Sequence, residues 1–186
     1  MILPIYAYGS PVLRKKAVDI DATYPDLKNL IANMYTTMYE SDGIGLAAPQ
    51  IGLSIRLFVI DGSHIDGIQP EGFKQTFINA QILEETGEEW KYEEGCLSIP
   101  KIHENVSRKP VVKVRFLDED FVEHTQTFDG MAARIIQHEY DHIEGILFTD
   151  KISSLKKRLI QKKLKNIIEG KTFQEYRMKF FGKKGR

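Results

Sequence analysis

An α+β fold is predicted for this chain, with largely antiparallel β-sheets packed around a central helix and a further helix toward the C-terminus. Three observations point there. Apolar residues recur with the 3.6-residue period of a helix in one segment toward the N-terminus and two past the middle, at 24–40, 129–145 and 151–169. The middle of the chain holds several stretches with strand character. Two of them, within VRFLDEDFVEH, read as a hairpin turning at Asp118-Glu119-Asp120.

Taken in order, Leu27, Leu30, Ile31, Met34 and Met38 mark the apolar face of the first helix, with Pro25 suited to its first turn and Ser41-Asp42-Gly43 ending it. IRLFVI (55–60) reads as a buried strand and residues 61–72, rich in Gly and Asp, as a loop. FKQTFINAQIL, EEWKYEE, VVKVRFL and FVEHTQTF read as strands. Asp129 is the expected N-cap of the central helix and Gly145 its stop. In the last helix Ile152, Leu155, Leu159, Ile160, Leu164, Ile167 and Ile168 form an apolar stripe expected to dock on the rest of the fold. Residues 171–186 offer no core pattern and are expected to be loosely held, so that deletion from Lys171 leaves the chemistry nearly intact.

The 186 residues suit a single domain, with a basic C-terminal helix and tail at 151–186. Hydrophobic residues at 42% and charged residues at 28% are ordinary for a globular protein. No run approaches the ~20 apolar residues of a membrane span, and MILPIYAYGSPVLRKKA lacks the pattern of a secretory signal. The lone cysteine, Cys96, allows no internal disulfide and fits a reducing compartment, so a cytoplasmic location is expected. Net charge is zero but unevenly spread: 151–186 holds 13 Lys/Arg against 2 Asp/Glu, a formal +11, which leaves −11 on the other 150 residues. A basic tail on an acidic body suggests a polyanionic partner, the alternative being an ordinary solvated face.

The densest chemistry lies in HEYDH, residues 138–142. Positions i and i+4 share one face of a helix, so His138 and His142 can aim at one metal ion while Glu139 lies beside it as a base. A catalytic site usually has three protein ligands and an open position. HEYDHIEGILF has Phe148 where one protease class has its third histidine, Glu144 is too close along the helix, and no histidine follows His142. The third ligand is therefore sought upstream. Cys96 in EEGCLSIP is the leading candidate, a small buried hydrophobe being the alternative. DGIGLAAPQIG (42–52) is neither a dinucleotide fingerprint nor a P-loop, and by itself reads as a turn with small packing residues.

GIGLAAPQIG, EGCLS and HEYDH, in this order and at this spacing, resemble the three motifs of the peptide deformylases, over roughly residues 1–170. The resemblance implies a metal-dependent hydrolase that removes the formyl group from the N-terminal formylmethionine of newly made polypeptides, releasing formate. It implies Cys96, His138 and His142 as metal ligands, with Fe2+ the usual ion and Zn2+ or Ni2+ as substitutes. Glu139 would carry the proton, and the Gln50 amide and Leu97 backbone N–H would stabilise the oxyanion. Gly45 would let the substrate pair as an added strand, in a site that includes Gly95.

Met131 and Ile135 share the helical face of His138 and, with Ile44 and Tyr92, could line a pocket for the methionine side chain; ordinary core packing is the alternative. Glu94 is assigned no chemical role, and Asp42 with Arg108 is a candidate ion pair, supporting or incidental. His103 stands seven residues after Cys96, where many family members carry arginine, so peptide affinity and its pH dependence are expected to differ. The expected partners are nascent N-formylmethionyl peptides and, through the basic helix, the ribosome, with no membrane and no DNA. The rival readings are an HExxH metallopeptidase, disfavoured by the missing downstream ligand, and a non-catalytic metal-stabilised RNA-binding protein, disfavoured by the missing fourth ligand.

Overall fold

The computed structural model describes residues 1–181. Its elements run β1 (Ile5–Tyr6), α1 (Leu27–Glu40), β2 (Gly45–Ala47), β3 (Leu57–Asp61), β4 (Lys74–Thr86), β5 (Trp90–Cys96), β6 (Ile99–Arg108), β7 (Val111–Leu117), β8 (Glu123–Asp129), α2 (Gly130–Ile143), α3 (Ser154–Ile168) and β9 (Met178–Lys179). Five strands form an antiparallel sheet in the order β2-β3-β4-β7-β8, β5 and β6 form a separate hairpin, and β1 pairs with β9 in parallel. The predicted α+β class is what is observed.

Period-2 alternation in β3 decides how the layers stack. Phe58 and Ile60 point into a core built with Ala132, Ala133, Ile135 and Ile136 of α2 and with Phe77, Val112, Val114, Phe116 and Phe128 of the sheet. Leu57 and Val59 point to the other face, where Leu27, Ile31, Met34 and Met38 of α1 cover them. The sheet is thus sandwiched between α1 and α2, and most residues of α2 are buried. Asp129 takes the extended N-cap conformation, though its side chain makes no capping bond. Gly145, at φ 74°, ends the helix as expected; an added Cβ would press on the Arg14 carbonyl.

Several expectations need correction. Pro25 precedes α1, which starts only after Asp26 in the left-handed region. The segment after Cys96 is a ten-residue strand, β6. Lys101 at φ 60° interrupts its alternation: Ile99 and Pro100 are both buried, and the pattern resumes at Ile102 and Val106. That slip hides the strand from a period-2 reading. The short edge strand β2 lies in a segment that reads as a turn. In α3 the buried seam is Ile160, Leu164 and Ile167, packed on Ile99, Ile102 and Val106 of β6. Leu155 and Leu159 of the predicted stripe are instead 63% and 73% exposed. Residues 171–181 are docked rather than loose; residues 182–186 of that expected loose tail lie outside the described residues.

Candidate active site

The site arises where the β5–β6 hairpin crosses α2. Two residues along a strand span ~6.6 Å on one face, and four residues along a helix span ~6 Å. Glu94 and Cys96 therefore match His138 and His142 in register: His138 Nδ1 lies 3.0 Å from Glu94 Oε2, and Cys96 Sγ 3.2 Å from His142 Nε2. A break in the β5–β6 register between Glu94 and Cys96 adjusts the aim of the thiol. Gly95 sits at this break, with the His103 ring where its Cβ would be.

The Cys96 sulfur and a ring nitrogen from each of His138 and His142 lie within 4.8 Å of one another. Ligands on one tetrahedral ion are separated by roughly 3.3–3.6 Å, given typical bonds to sulfur and nitrogen, so the cluster closes on a metal with small adjustments. Its electrostatics suit a cation. Burial disfavours charge on His138, yet the Cys96 thiol and the Glu94 carboxylate outweigh it and raise the pKa well above the ordinary histidine value. His142, buried and facing positive neighbours, is held well below that value, in the neutral form a metal binds. Among the described residues its Nδ1 is buried without a hydrogen-bond partner.

Glu139 is 4% exposed, and its Oε2 likewise has no partner among the described residues. Burial, only partly offset by His138 and Arg108, pushes its pKa up to about 7. Gly45 packs against this carboxylate so closely that any Cβ there would collide with it. The Gln50 amide is oriented by chemistry: its Oε1 accepts the Ala47 N–H at 2.8 Å, which turns Nε2 toward Cys96 Sγ at 3.5 Å and Ser98 Oγ at 3.4 Å.

A cavity of about 470 Å³ opens over this cluster. The expected site residues Ile44, Gly45, Gln50, Gly95 and Leu97 line it from the β2 and β5 sides. Tyr92 and His103 reach it from the hairpin; Met131, Ile135, His138 and Glu139 line it from α2. β2 is an edge strand, paired only with β3 in the five-stranded sheet, and runs beside the cavity.

Beneath the cluster lies a buried ionic network that sequence reasoning largely missed. Glu94, given no role above, accepts Arg108 Nε at 2.7 Å and Arg134 Nη1 at 2.7 Å as well as the His138 contact. Arg108 also donates to Asp141 Oδ2 at 2.7 Å, so both its ends are engaged here and its expected pairing with Asp42 is not formed. Arg134 lies against the Trp90 ring, its Cζ 4.2 Å from the centroid, and donates to the Trp90 carbonyl. Burial works against ionising Glu94, but Arg108 and His138 prevail and hold its carboxyl far below the usual range. One sequence signal could have found Arg134: it lies one helical turn before His138, on an otherwise apolar face. The cavity wall formed by residues 173–176 carried no comparable signal.

The chain matches the polypeptide deformylase family over residues 2–158. It is 63% identical to a peptide deformylase of Flavobacterium johnsoniae across the full length of both chains. It is 57% identical to one from Christiangramia forsetii, covering 97% of this chain and 96% of that one. Among solved structures, a plant peptide deformylase superposes with a TM-score of 0.83 at 37% identity, covering 91% of this chain and 92% of the other. The Thermotoga maritima peptide deformylase superposes at 0.75 with 40% identity, over 82% and 99%. Among the described residues, no helix is long and apolar enough to cross a membrane. The chain belongs to the polypeptide deformylase family, hydrolases that remove the formyl group from N-terminal formylmethionine.

Proposed function

We propose that Cys96, His138 and His142 hold one divalent metal ion, Fe2+ with Zn2+ or Ni2+ as substitutes, and that formyl-methionyl peptides are hydrolysed beside it. A metal there supplies Lewis acidity, lowering the pKa of a water and polarising the formyl oxygen. Glu139 takes the proton from the attacking water and returns it to the departing amine as the formyl C–N bond breaks and formate leaves. The Gln50 Nε2 and the Leu97 N–H donate to the developing oxyanion. The free edge of β2 at Gly45, across the cavity from Gly95, receives the peptide backbone as an added strand. Ile44, Met131 and Ile135 enclose the methionine side chain. Glu94 fixes the His138 tautomer so that Nε2 is the ligating nitrogen.

The observation that carries this reading is the three-ligand cluster of Cys96, His138 and His142 with the buried Glu139 carboxylate beside it, unpartnered on one oxygen among the described residues. Three ligands leave room for water, as catalysis requires and a closed structural site does not. The setting is the bacterial cytoplasm, where formylated nascent chains arise, with the exposed basic face of α3 directed at ribosomal RNA. The deciding assay measures formate released from a formyl-Met peptide, with metal content determined on the same sample. The expected result is one equivalent of formate per peptide and no cleavage of the unformylated peptide. A metal-replete sample that releases no formate overturns the reading.

A further inference from the structure

The segment after α3 lies beyond the family match, which ends at residue 158, yet it runs along the cavity. Thr172, Gln174, Tyr176, Met178 and Phe180 are half-buried while the residues between them are exposed, the alternation of an extended strap laid on a surface. Both ends are tied down. The Lys171 N–H donates to the Asn166 carbonyl at 2.8 Å, and β9 pairs with β1 through Ile5 and Ala7 N–H groups donating to the Arg177 and Lys179 carbonyls, each at 2.9 Å. Between these anchors, residues 173–176 form part of the cavity wall. The Tyr176 hydroxyl donates to the Leu97 carbonyl at 2.7 Å, and both side chains pack against the same apolar cluster.

We infer that Tyr176 is a positioning residue: through its hydrogen bond to Leu97 it fixes the backbone turn that follows Cys96. Other restraints on this turn act on its flanking residues, Cys96 pairing with Ile99 across it. The Ser98 carbonyl accepts the Tyr8 N–H at 2.8 Å, and Ser98 Oγ faces Gln50 Nε2. The phenol acts on Leu97 itself, whose N–H is the oxyanion donor in the reading above; the consequence for turnover rests on that assignment, the positioning does not. A donor held in place costs no reorganisation when charge develops, whereas a loosened one does. The strap thereby couples a C-terminal segment, 79 residues away in sequence, to the reacting atoms.

The test is Tyr176→Phe in the full chain, which keeps the ring packed and removes only the donor. In the Zn2+-loaded protein, the Leu97 amide resonance should shift or broaden and its hydrogen exchange should quicken, with metal content unchanged. Turnover of a formyl-Met peptide should fall about five- to twentyfold in kcat, short of the hundredfold or more typical of losing an oxyanion donor outright, with KM within about twofold. A Leu97 amide that neither shifts nor exchanges faster overturns the inference, whatever happens to kcat. A displaced Leu97 amide with unchanged kcat supports the positioning and instead removes Leu97 from the oxyanion role.

Discussion

In the proposed function, three side chains carry separable duties at the site. Glu139→Gln keeps the shape of the side chain but cannot accept a proton, so the variant should retain its metal and lose ~10²–10⁴-fold in kcat. Near-normal turnover in a metal-replete sample removes Glu139 from the proton-carrying role. Cys96→Ser replaces a soft thiolate by a hydroxyl, and elemental analysis should find most of the metal gone. Glu94→Gln leaves Arg108 and Arg134 facing a neutral amide and slackens the grip on His138, so metal affinity should drop roughly 10–100-fold in a chelator competition. The HExxH pair and Cys96 could be read as chemistry from spacing and residue type. Glu94 could not, and Arg134 showed only as a charge one turn before His138, because such residues acquire a role only when their partners, up to 44 positions away, are known.

At the scale of elements, the crossing of β5 with α2 brings the candidate ligands Cys96, His138 and His142 together, and in the proposed function the edge of β2 receives the substrate. Gly45→Ala drives a methyl group into Glu139. It should destabilise the fold by about 1–3 kcal/mol, the usual cost of overpacking, and depress activity with the metal still bound. The docked strap reverses the expectation drawn from sequence for the C-terminus. Deletion from Lys171 removes β9, the Tyr176 hydrogen bond and part of the cavity wall, so both melting temperature and kcat should fall, the stability loss being roughly 2–4 kcal/mol. On α3, Lys156 pairs with Glu104 at 2.7 Å and Lys157 donates to the Asp150 carbonyl, leaving Arg158, Lys162 and Lys163 as the better-placed contacts for RNA. Changing these three to Gln should weaken ribosome binding and flatten its salt slope by about one unit per lost phosphate contact. An unaltered slope leaves them an ordinary solvated face.

Across the whole molecule, ion pairs tie distant segments together, and one gives a signed pH dependence. Glu144, just past α2, accepts Arg56 from the β3 side at 2.5 Å and Lys16 from the N-terminal segment at 2.9 Å. Burial raises its pKa, but these partners outweigh burial and hold it below the ordinary carboxylate value of 4.5. A depressed carboxylate contributes stability that is fully present above its unfolded value and lost as pH falls through its folded one. Glu144→Gln should therefore cost about 1–2 kcal/mol at pH 7, and urea titrations should show the gap to the parent chain closing below pH 4.5. The sequence by itself determined the α+β class, the three helices, most of the central strands and the metal–base motif. Those features rest on local periodicity and on residue types with few alternative uses. Tertiary structure alone decided the β6 strand, whose alternation slips at Lys101, the network around Glu94, and the strap that brings Tyr176 to Leu97. Each depends on contacts between residues far apart in the chain, which no local pattern encodes.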